Sequence, residues 1–184
     1  MRIVGGEARG RRLKAPPGAA TRPTADRVRE TIFNVLGQRF DGERVLDLFA
    51  GSGALALEAL SRGAGRAVLV EKDRAAAAIC AENAAALGYE GRVEVLRSDV
   101  AAAVARLAGP FDLVFLDPPY AEGPAAALQL LEEHGLVAPG GIAVAEHDRR
   151  REPPEAVGAL RRIDLRRFGD TAVSFYERSP QEPA

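Results

Sequence analysis

Cysteine and histidine are scarce in this chain. Cys80 is the only cysteine among 184 residues, and the sequence has two histidines, one methionine and no tryptophan. A lone cysteine excludes disulfides within the chain, and two histidines without nearby cysteine partners argue against a structural zinc site. We therefore expect no bound metal, and we expect Cys80 to be a buried, unreactive thiol.

Long apolar runs are also absent. No stretch approaches the roughly 20 apolar residues that cross a membrane, and the N-terminus lacks the pattern of a signal peptide. Hydrophobic residues make up 47% of the chain and charged residues 28%, which is typical of a globular protein. The length suits one domain with a sizeable core. We expect a cytoplasmic monomer that has no contact with membranes.

Excess charge of either sign is lacking overall, but the N-terminal segment is basic. The formal net charge is −1, whereas residues 1–30 carry eight basic and three acidic side chains, a local charge of +5. The basic residues there are Arg2, Arg9, Arg11, Arg12, Lys14, Arg22, Arg27 and Arg29. This asymmetry predicts a polyanionic partner, although a solvated basic face would give the same count.

The first 37 residues predict a short hairpin followed by a helix. Arg2 to Gly6 and Gly10 to Leu13 resemble two short strands around a turn, so residues 1–21 form an arm with too few apolar residues for its own core. A helix should begin with Thr24 as its N-cap and end at Gly37. Its apolar stripe should pack on the body, which leaves three side chains to face solvent or a ligand: Arg22, Arg27 and Arg29.

From residue 44 the chain alternates short apolar strands with helices, the pattern of a buried parallel sheet. The predicted strands are Val45 to Phe49, Ala67 to Glu71, Val93 to Leu96, Asp112 to Leu116 and Gly141 to Glu146. Two further β-like runs flank the turn at Gly169 and Asp170, which makes them an antiparallel hairpin. The predicted fold is α/β and Rossmann-like, with a mostly parallel sheet and a C-terminal antiparallel edge hairpin. Residues 22–178 form the main domain and 179–184 a tail.

The stretch from Val45 to Gly53 reads as strand, glycine turn and helix start. In an open α/β sheet, ligands bind outside the carboxyl ends of the strands. Glycines let the backbone approach a ligand closely, and the helix N-terminus offers free N–H groups. The turn at Gly51, Ser52 and Gly53 also fits the pattern of dinucleotide-binding proteins. It therefore indicates a nucleoside cofactor but does not decide whether that cofactor is a dinucleotide.

Two acidic residues follow the next strands. Glu71 lies 20 residues after Gly51, the offset at which a carboxylate accepts hydrogen bonds from a ribose diol, although an acid at a helix start is an alternative. Asp99 follows the third strand and could accept from an adenine amino group, serve as a helix N-cap, or do both.

The fourth predicted strand ends in Asp117-Pro118-Pro119-Tyr120. The prolines fix the backbone so that the Asp117 carboxylate and the Pro118 carbonyl can both accept from one amine. Tyr120 supplies a flat face for stacking a nucleobase. Holding an exocyclic amine in this way turns its lone pair toward an incoming methyl group. A dehydrogenase has no evident use for this motif, so it favours an amino methyltransferase.

Together, Asp47 to Gly53 and Asp117 to Tyr120 resemble the S-adenosylmethionine-dependent amino methyltransferases of nucleic acids. The family is narrowed by three N-terminal motifs, Arg2 to Gly6, Arg9 to Leu13 and Arg22 to Glu30. With them, the chain resembles the RsmD family over nearly its whole length. This resemblance implies a class I methyltransferase fold. It also implies methyl transfer from S-adenosylmethionine to the N2 amine of a guanine in 16S ribosomal RNA, free or in a small-subunit particle.

The resemblance also assigns roles to individual residues. Cofactor-binding roles fall to Asp47, Phe49, Ala50, Gly51, Ser52, Gly53, Glu71, Lys72 and Asp99. Catalytic roles fall to Asp117, Pro118, Pro119 and Tyr120. The resemblance also suggests that Arg22 and Arg27 approach the RNA or the cofactor. Together with the basic residues Arg2, Arg9, Arg11 and Arg12, they are the predicted RNA-binding residues. One departure is Ala56, where relatives often carry glycine, but alanine is still small enough for close helix–strand packing.

Three other functions remain open at this point. A DNA or other RNA amino methyltransferase, acting on adenine N6 or cytosine N4, would share the catalytic motif. The absence of an obvious DNA-recognition domain favours RNA. An NAD-dependent oxidoreductase would share the glycine turn, and a non-catalytic RNA-binding module would share the basic segment.

Overall fold

An eight-stranded sheet forms the centre of the protein, with the strand order β3-β2-β1-β4-β5-β8-β7-β6. The computed structural model describes residues 1–16 and 23–180, with side chains from residue 26 onward in the second range. The strands are β1 (Arg44–Asp47), β2 (Arg66–Glu71), β3 (Val93–Arg97), β4 (Phe111–Leu116), β5 (Val137–Asp148), β6 (Ala156–Val157), β7 (Leu160–Phe168) and β8 (Thr171–Arg178). The first five strands are parallel, and β6 to β8 pair antiparallel.

Helices cover both faces of the sheet. They are α1 (Pro23–Leu36), α2 (Ala54–Ser61), α3 (Arg74–Leu87), α4 (Val100–Val104) and α5 (Ala125–Glu133). The consecutive residues Val45 and Leu46 of β1 belong to two different cores, the first shared with α1, α2 and α3 and the second with α4 and α5. Because neighbouring strand residues point to opposite faces, a strand covered on both sides must be apolar throughout.

The predicted fold class is confirmed, and the element boundaries agree to within a few residues. The largest difference is in β5, which begins at Val137 rather than Gly141. Val137 pairs with Phe111, and the register shifts before Leu113 pairs with Ile142. Pairing with β4 therefore extends the strand through a Pro-Gly-Gly sequence that locally favours a turn. The two-residue strand β6 has no counterpart in the prediction.

The predicted N-terminal hairpin is present, and it is docked on the main body. Its two halves meet at an antiparallel bridge between Arg2 and Arg12. Ile3 is 1% exposed and Leu13 is 6% exposed, and both belong to the core that contains α2 and α3. The hairpin therefore lacks a core of its own, as its composition indicates, but it shares the core of the main body.

Glu58, a fully buried residue of α2, attaches this hairpin to the body. Its carboxylate accepts hydrogen bonds from the backbone N–H groups of Val4 (2.8 Å) and Gly5 (2.7 Å). Arg62, one helical turn further on, pairs with the same carboxylate at 2.8 Å, and the Nε atom of Arg29 lies 3.8 Å from it. A buried charge is tolerated only when it is paired and hydrogen-bonded, and Glu58 meets both conditions.

Of the two expectations for Arg29, solvent or a ligand, the first is wrong, because its side chain is only 5% exposed. It donates to the Arg2 carbonyl at 2.7 Å and to Asp26 at 3.0 Å. The buried acid Glu58 provides a charge partner that helical spacing cannot reveal. Arg27 is exposed as expected. Because α1 begins at Pro23, Thr24 lies within its first turn, and the prediction that Thr24 is the N-cap is wrong. Arg22 lies outside the described residues, so its RNA-binding role stays a prediction.

Cys80 is buried in α3, and its thiol donates to the Gly51 carbonyl at 3.2 Å. Burial, and next the negative charges of Asp47 and Glu71, raise the pKa of this thiol to about 12. Across residues 1–16 and 23–180, no helix has the length and apolar character needed to span a membrane. The same residues contain no cluster of three acidic, cysteine or histidine side chains arranged to hold a metal ion.

Replacing Glu58 with alanine should lower the free energy of unfolding by about 3–5 kcal/mol, because two arginines lose a buried partner. Denaturant titration followed by circular dichroism measures this loss. Glu82→Ala is the matched control, since Glu82 is 54% exposed and pairs with Lys14 on the surface, a contact worth about 0–1 kcal/mol. Equal losses in the two variants would contradict the central role of Glu58.

Candidate functional site

A pocket of about 730 Å³ opens at the carboxyl ends of β1 to β4. The parallel pairing of these strands aligns their ends along one edge. Nine of the residues predicted to bind cofactor or act in catalysis line it: Phe49, Gly51, Glu71, Lys72, Asp99, Asp117, Pro118, Pro119 and Tyr120. The structure thus brings together residues that are up to 71 positions apart in the chain.

The loop after β1 adopts a backbone that glycine favours. Gly51 and Gly53 have φ angles of +56° and +79°, and Gly53 caps the N-terminus of α2. A Cβ atom on Gly53 would lie 2.9 Å from the Leu69 side chain, so this residue faces the core rather than the pocket. Asn83, buried in α3, donates to the Ser52 carbonyl at 2.9 Å. Helix α3 therefore supports the loop from behind.

Glu71, at the end of β2, holds the loop from the pocket side. Its carboxylate accepts from the backbone N–H groups of Gly51 (2.9 Å) and Asp73 (2.8 Å). Each carboxylate oxygen can accept more than one hydrogen bond, so Glu71 keeps acceptor capacity toward the pocket. Lys72, next in sequence, lies at the rim with its ammonium group 3.8 Å from Glu122.

Asp99 serves as the N-cap of α4, accepting from the backbone N–H of Ala102 at 2.9 Å. The predicted cap is therefore confirmed. Asp99 also lines the pocket, so the second predicted role, accepting from a ligand amine, is sterically open and stays a prediction.

Asp117 and Tyr120 form the wall of the pocket beyond β4. The Asp117 carboxylate is open to the pocket but enclosed by protein on its other sides, and this burial raises its pKa to about 6. Tyr120 is 44% exposed, and its hydroxyl lies 2.6 Å from the Thr171 hydroxyl on β8. Arg151 donates to the Tyr120 backbone carbonyl at 3.3 Å. These contacts anchor an exposed aromatic side chain beside the carboxylate.

A second cavity of about 180 Å³ adjoins the first, and Phe49, Gly51 and Asp117 line both. Three predicted cofactor residues, Asp47, Ala50 and Ser52, line this smaller cavity rather than the larger pocket. Met1 of the hairpin and Arg29 of α1 complete its wall. The N-terminal segment therefore takes part in the site through its docked position.

Two oppositely charged side chains line the smaller cavity, and each has a buried atom that makes no hydrogen bond within the described residues; the Arg29 atom has only its 3.8 Å approach to Glu58. Asp47 is 1% exposed, and within the described residues neither of its oxygens has a hydrogen-bond partner. Burial, and next the negative charge of Asp117, raise the Asp47 pKa to about 7. The Arg29 Nε atom also lacks a hydrogen-bond partner there. This arrangement suits a small ligand that carries both an ammonium and a carboxylate group.

The prediction missed Glu146 and the position of Arg29. Glu146 lies near the end of β5, lines both cavities, and follows Ala145, which pairs with Leu116. It is thus the neighbour of Asp117 on the next strand. Burial, and next the charge of Asp117, raise the Glu146 pKa to about 8. Its place at the end of a predicted strand was a usable signal, but sequence does not tell which strands are adjacent.

The predicted RNA-binding residues of the described chain lie outside both cavities. Arg2, Arg9, Arg11, Arg12 and Arg27 are all exposed. Arg11 donates to the Ala86 carbonyl near the end of α3. The hairpin and α1 therefore present these arginines to solvent.

Comparison with known proteins shows that this chain is similar to members of one family. A family model described as "Conserved hypothetical protein 95" matches residues 1–177. Ribosomal RNA small subunit methyltransferase D of Escherichia coli (strain K12) is 39% identical over 184 residues, covering 98% of this chain and 91% of that protein. The solved structure of the Escherichia coli protein yhhF has a TM-score of 0.86 and 38% identity, with coverage of 98% and 99%.

The fold extends to more distant proteins. An RNA methyltransferase from Salinibacter ruber, solved in complex with S-adenosyl-L-homocysteine, has a TM-score of 0.67 at 19% identity, covering 89% of this chain and 97% of that one. This likeness shows the fold alone, which is that of Rossmann-like methyltransferases. The family-model match and the 39% identity across nearly all of both chains show that this protein belongs to the RsmD family, as its motifs predict.

Proposed function

We propose that this protein transfers a methyl group from S-adenosylmethionine to the exocyclic N2 amine of a guanine in small-subunit (16S) ribosomal RNA. The main support is that the Asp-Pro-Pro-Tyr motif shares one pocket with Glu71 and Asp99. The name of the Escherichia coli relative supports a small-subunit RNA substrate. The RNA is bound either free or within a ribosomal particle.

The two adjoining cavities fit the two halves of S-adenosylmethionine. The larger, about 730 Å³, lies in the usual range for a ligand site. There Glu71 would accept from the ribose hydroxyls and Asp99 from the adenine amine. In the smaller cavity, the unpartnered oxygens of Asp47 would bind the α-ammonium group, and the Nε atom of Arg29 would bind the α-carboxylate. Each half then meets groups of complementary hydrogen-bonding character.

Residues 117–120 would position the target amine. The bound cofactor supplies an electrophilic methyl group. Asp117 and the Pro118 carbonyl accept the two N–H bonds of the amine, and Tyr120 stacks on the base, a contact worth about 1–3 kcal/mol. Correct alignment of two reactants can lower a barrier by about 7–11 kcal/mol, so a strong base is not required. The proton that the methylated nitrogen loses passes to Asp117 or to water.

We further propose a separate role for each of three segments of the chain. Residues 1–21 would contact RNA phosphates, residues 22–178 would bind the cofactor and catalyse transfer, and residues 179–184 would be a tail. The tail lies outside the described residues from position 181 onward, as do residues 17–22 of the first segment.

Mass mapping of methylated nucleotides in ribosomal RNA, from cells with and without this protein, tests the proposal directly. Loss of one N2-methylguanosine from 16S RNA is the expected result. Incubating the protein and radiolabelled cofactor with duplex DNA, free ribosomal RNA and small-subunit particles separates the main alternative, an adenine N6 or cytosine N4 methyltransferase. Labelling of DNA alone would refute an RNA substrate.

Asp117→Ala should abolish methyl transfer, because the target amine loses its side-chain acceptor. The cofactor affinity should stay within a few-fold of wild type, since the proposed cofactor contacts are made by Glu71, Asp99 and Asp47. Methyl incorporation and isothermal calorimetry measure the two quantities. Undiminished transfer by this variant would refute the assigned role.

Asp47→Asn should stabilise the cofactor-free protein more at pH 8 than at pH 5. An aspartate whose pKa is raised to about 7 on folding contributes stability below its unfolded pKa of about 3.9, and that contribution is lost as pH rises through about 7. Asparagine removes this dependence, so the difference between variant and wild type should grow by at least about 1 kcal/mol over this range.

Denaturant titrations at the two pH values measure that difference. Asp170→Asn is the control, since Asp170 is 90% exposed. Its substitution should change the free energy of unfolding by the same small amount at both pH values. S-adenosylmethionine should stabilise wild type more than Asp47→Asn at neutral pH. If Asp47→Asn changes the stability equally at both pH values, the pKa of Asp47 is not raised to about 7 on folding.

Because the hairpin is part of the core, its charge is better tested by substitution than by deletion. Replacing the exposed residues Arg9 and Arg12 with glutamine should weaken binding to 16S RNA. It should also flatten the slope of log K against log salt by about 0.7 to 0.9 per lost phosphate contact. Filter binding over a salt series measures the slope. Arg106→Gln, an exposed site after α4, should leave it unchanged, and equal slopes in all variants would refute the RNA-binding role.

A further inference from the structure

Glu146 is an acidic residue of the site that the proposed steps leave without a role. It lies near the end of β5, one position beyond the paired residues Leu116 and Ala145. Adjacent parallel strands are about 4.8 Å apart, so this register places Glu146 beside Asp117. Both residues line the larger pocket and the smaller cavity. Two carboxylates from neighbouring strands therefore face the same space next to the catalytic motif.

Both carboxylates have free acceptor capacity. Among residues 1–16 and 26–180, neither Asp117 nor Glu146 makes a side-chain hydrogen bond or an ion pair. Asp117 is exposed to the pocket and Glu146 is half-buried, and desolvation raises the pKa of both carboxyl groups. Two neighbouring carboxyl groups of this kind are both ionised near neutral pH only when a ligand donates hydrogen bonds to them. The pair thus indicates a ligand that presents two adjacent donors.

Guanine carries such a pair of donors, and the other amino-bearing bases do not. Its N1–H lies next to the N2 amine on the same edge. In adenine and cytosine, the ring nitrogen beside the exocyclic amine is an acceptor, which a carboxylate would repel. A site built to accept a hydrogen bond rejects a ligand that lacks the donor, because the buried polar group is then left unpaired.

We propose that Glu146 determines specificity for guanine, by accepting the N1–H of the target base while Asp117 and the Pro118 carbonyl accept the N2 amine. This inference rests on the proposed function and adds the residue that selects the base. Because Tyr120 supplies the stacking face and Asp117 the amine contact, Glu146 touches only the part of the base that distinguishes guanine.

Glu146 also lines the smaller cavity, where the α-ammonium group of the cofactor would bind. A role in cofactor binding would make the affinity for S-adenosylmethionine depend on Glu146. A role in base recognition would instead make the choice between bases depend on it. The two roles are separated by measuring both quantities on the same variant.

The test compares guanosine with 2-aminopurine riboside at the target position, installed by ligating a synthetic segment into the RNA form that mapping shows to be methylated. 2-Aminopurine keeps the N2 amine but has an acceptor at N1. Wild type should therefore prefer guanosine by about a hundredfold or more in kcat/KM. In Glu146→Gln, the amide can donate to N1, so the preference should shift at least about tenfold toward 2-aminopurine.

Several controls make the result decisive. Glu133→Gln, an exposed position at the end of α5, should keep the wild-type preference. Because the measured quantity is a ratio between two substrates, partial unfolding of a variant cannot change it. Cofactor affinity of Glu146→Gln, measured by calorimetry, should stay within about threefold of wild type.

The role of Glu146 is overturned if Glu146→Gln keeps the wild-type preference for guanosine over 2-aminopurine. It is also overturned if the variant loses cofactor affinity without a change in that preference. Either result leaves N2 methylation by wild type intact. If wild type forms no N2-methylguanosine at all, the proposed function itself fails, and the inference about Glu146 fails with it.

Discussion

Parallel pairing of the first five strands is the constraint on which the site depends. It places the carboxyl ends of β1 to β5 along one edge. Glu71, Asp99 and Asp117 lie at or just beyond such an end, and Glu146 lies two residues before the end of β5. None of these side chains needs a neighbour in sequence to reach its place, because the backbone hydrogen bonds of the sheet set their spacing. The relative positions of these acidic side chains are therefore set by the register of the strands.

A second feature, the buried carboxylate of Glu58, controls how the N-terminal segment meets this edge. Through Val4 and Gly5 it holds the hairpin against α2, and through its approach to Arg29 it fixes α1. That arrangement carries Met1 and Arg29 to the wall of the smaller cavity. A basic segment is thus joined to an acidic site without filling it, and its exposed arginines remain available to a polyanion.

The fold was largely predictable because its signals are local. Short runs that are apolar on both faces predict buried parallel strands, and the turn at Gly169 and Asp170 predicts the antiparallel hairpin. The extension of β5 back to Val137 was not predictable, since it depends on pairing with Phe111 across a shifted register. Likewise, the burial of Arg29 was not predictable, because its partner Glu58 is 29 positions away in the chain.

By itself, the sequence determined the fold class, the family, the glycine loop after β1 and the acids near the strand ends, because short contiguous motifs encode all of these. Only the tertiary structure decided that Asp47, Ala50 and Ser52 serve a separate smaller cavity. It also decided that the N-terminal segment is docked rather than free, and that Glu146 stands beside Asp117. These facts depend on which strands are neighbours and on which charges are buried together, and long-range packing alone sets both.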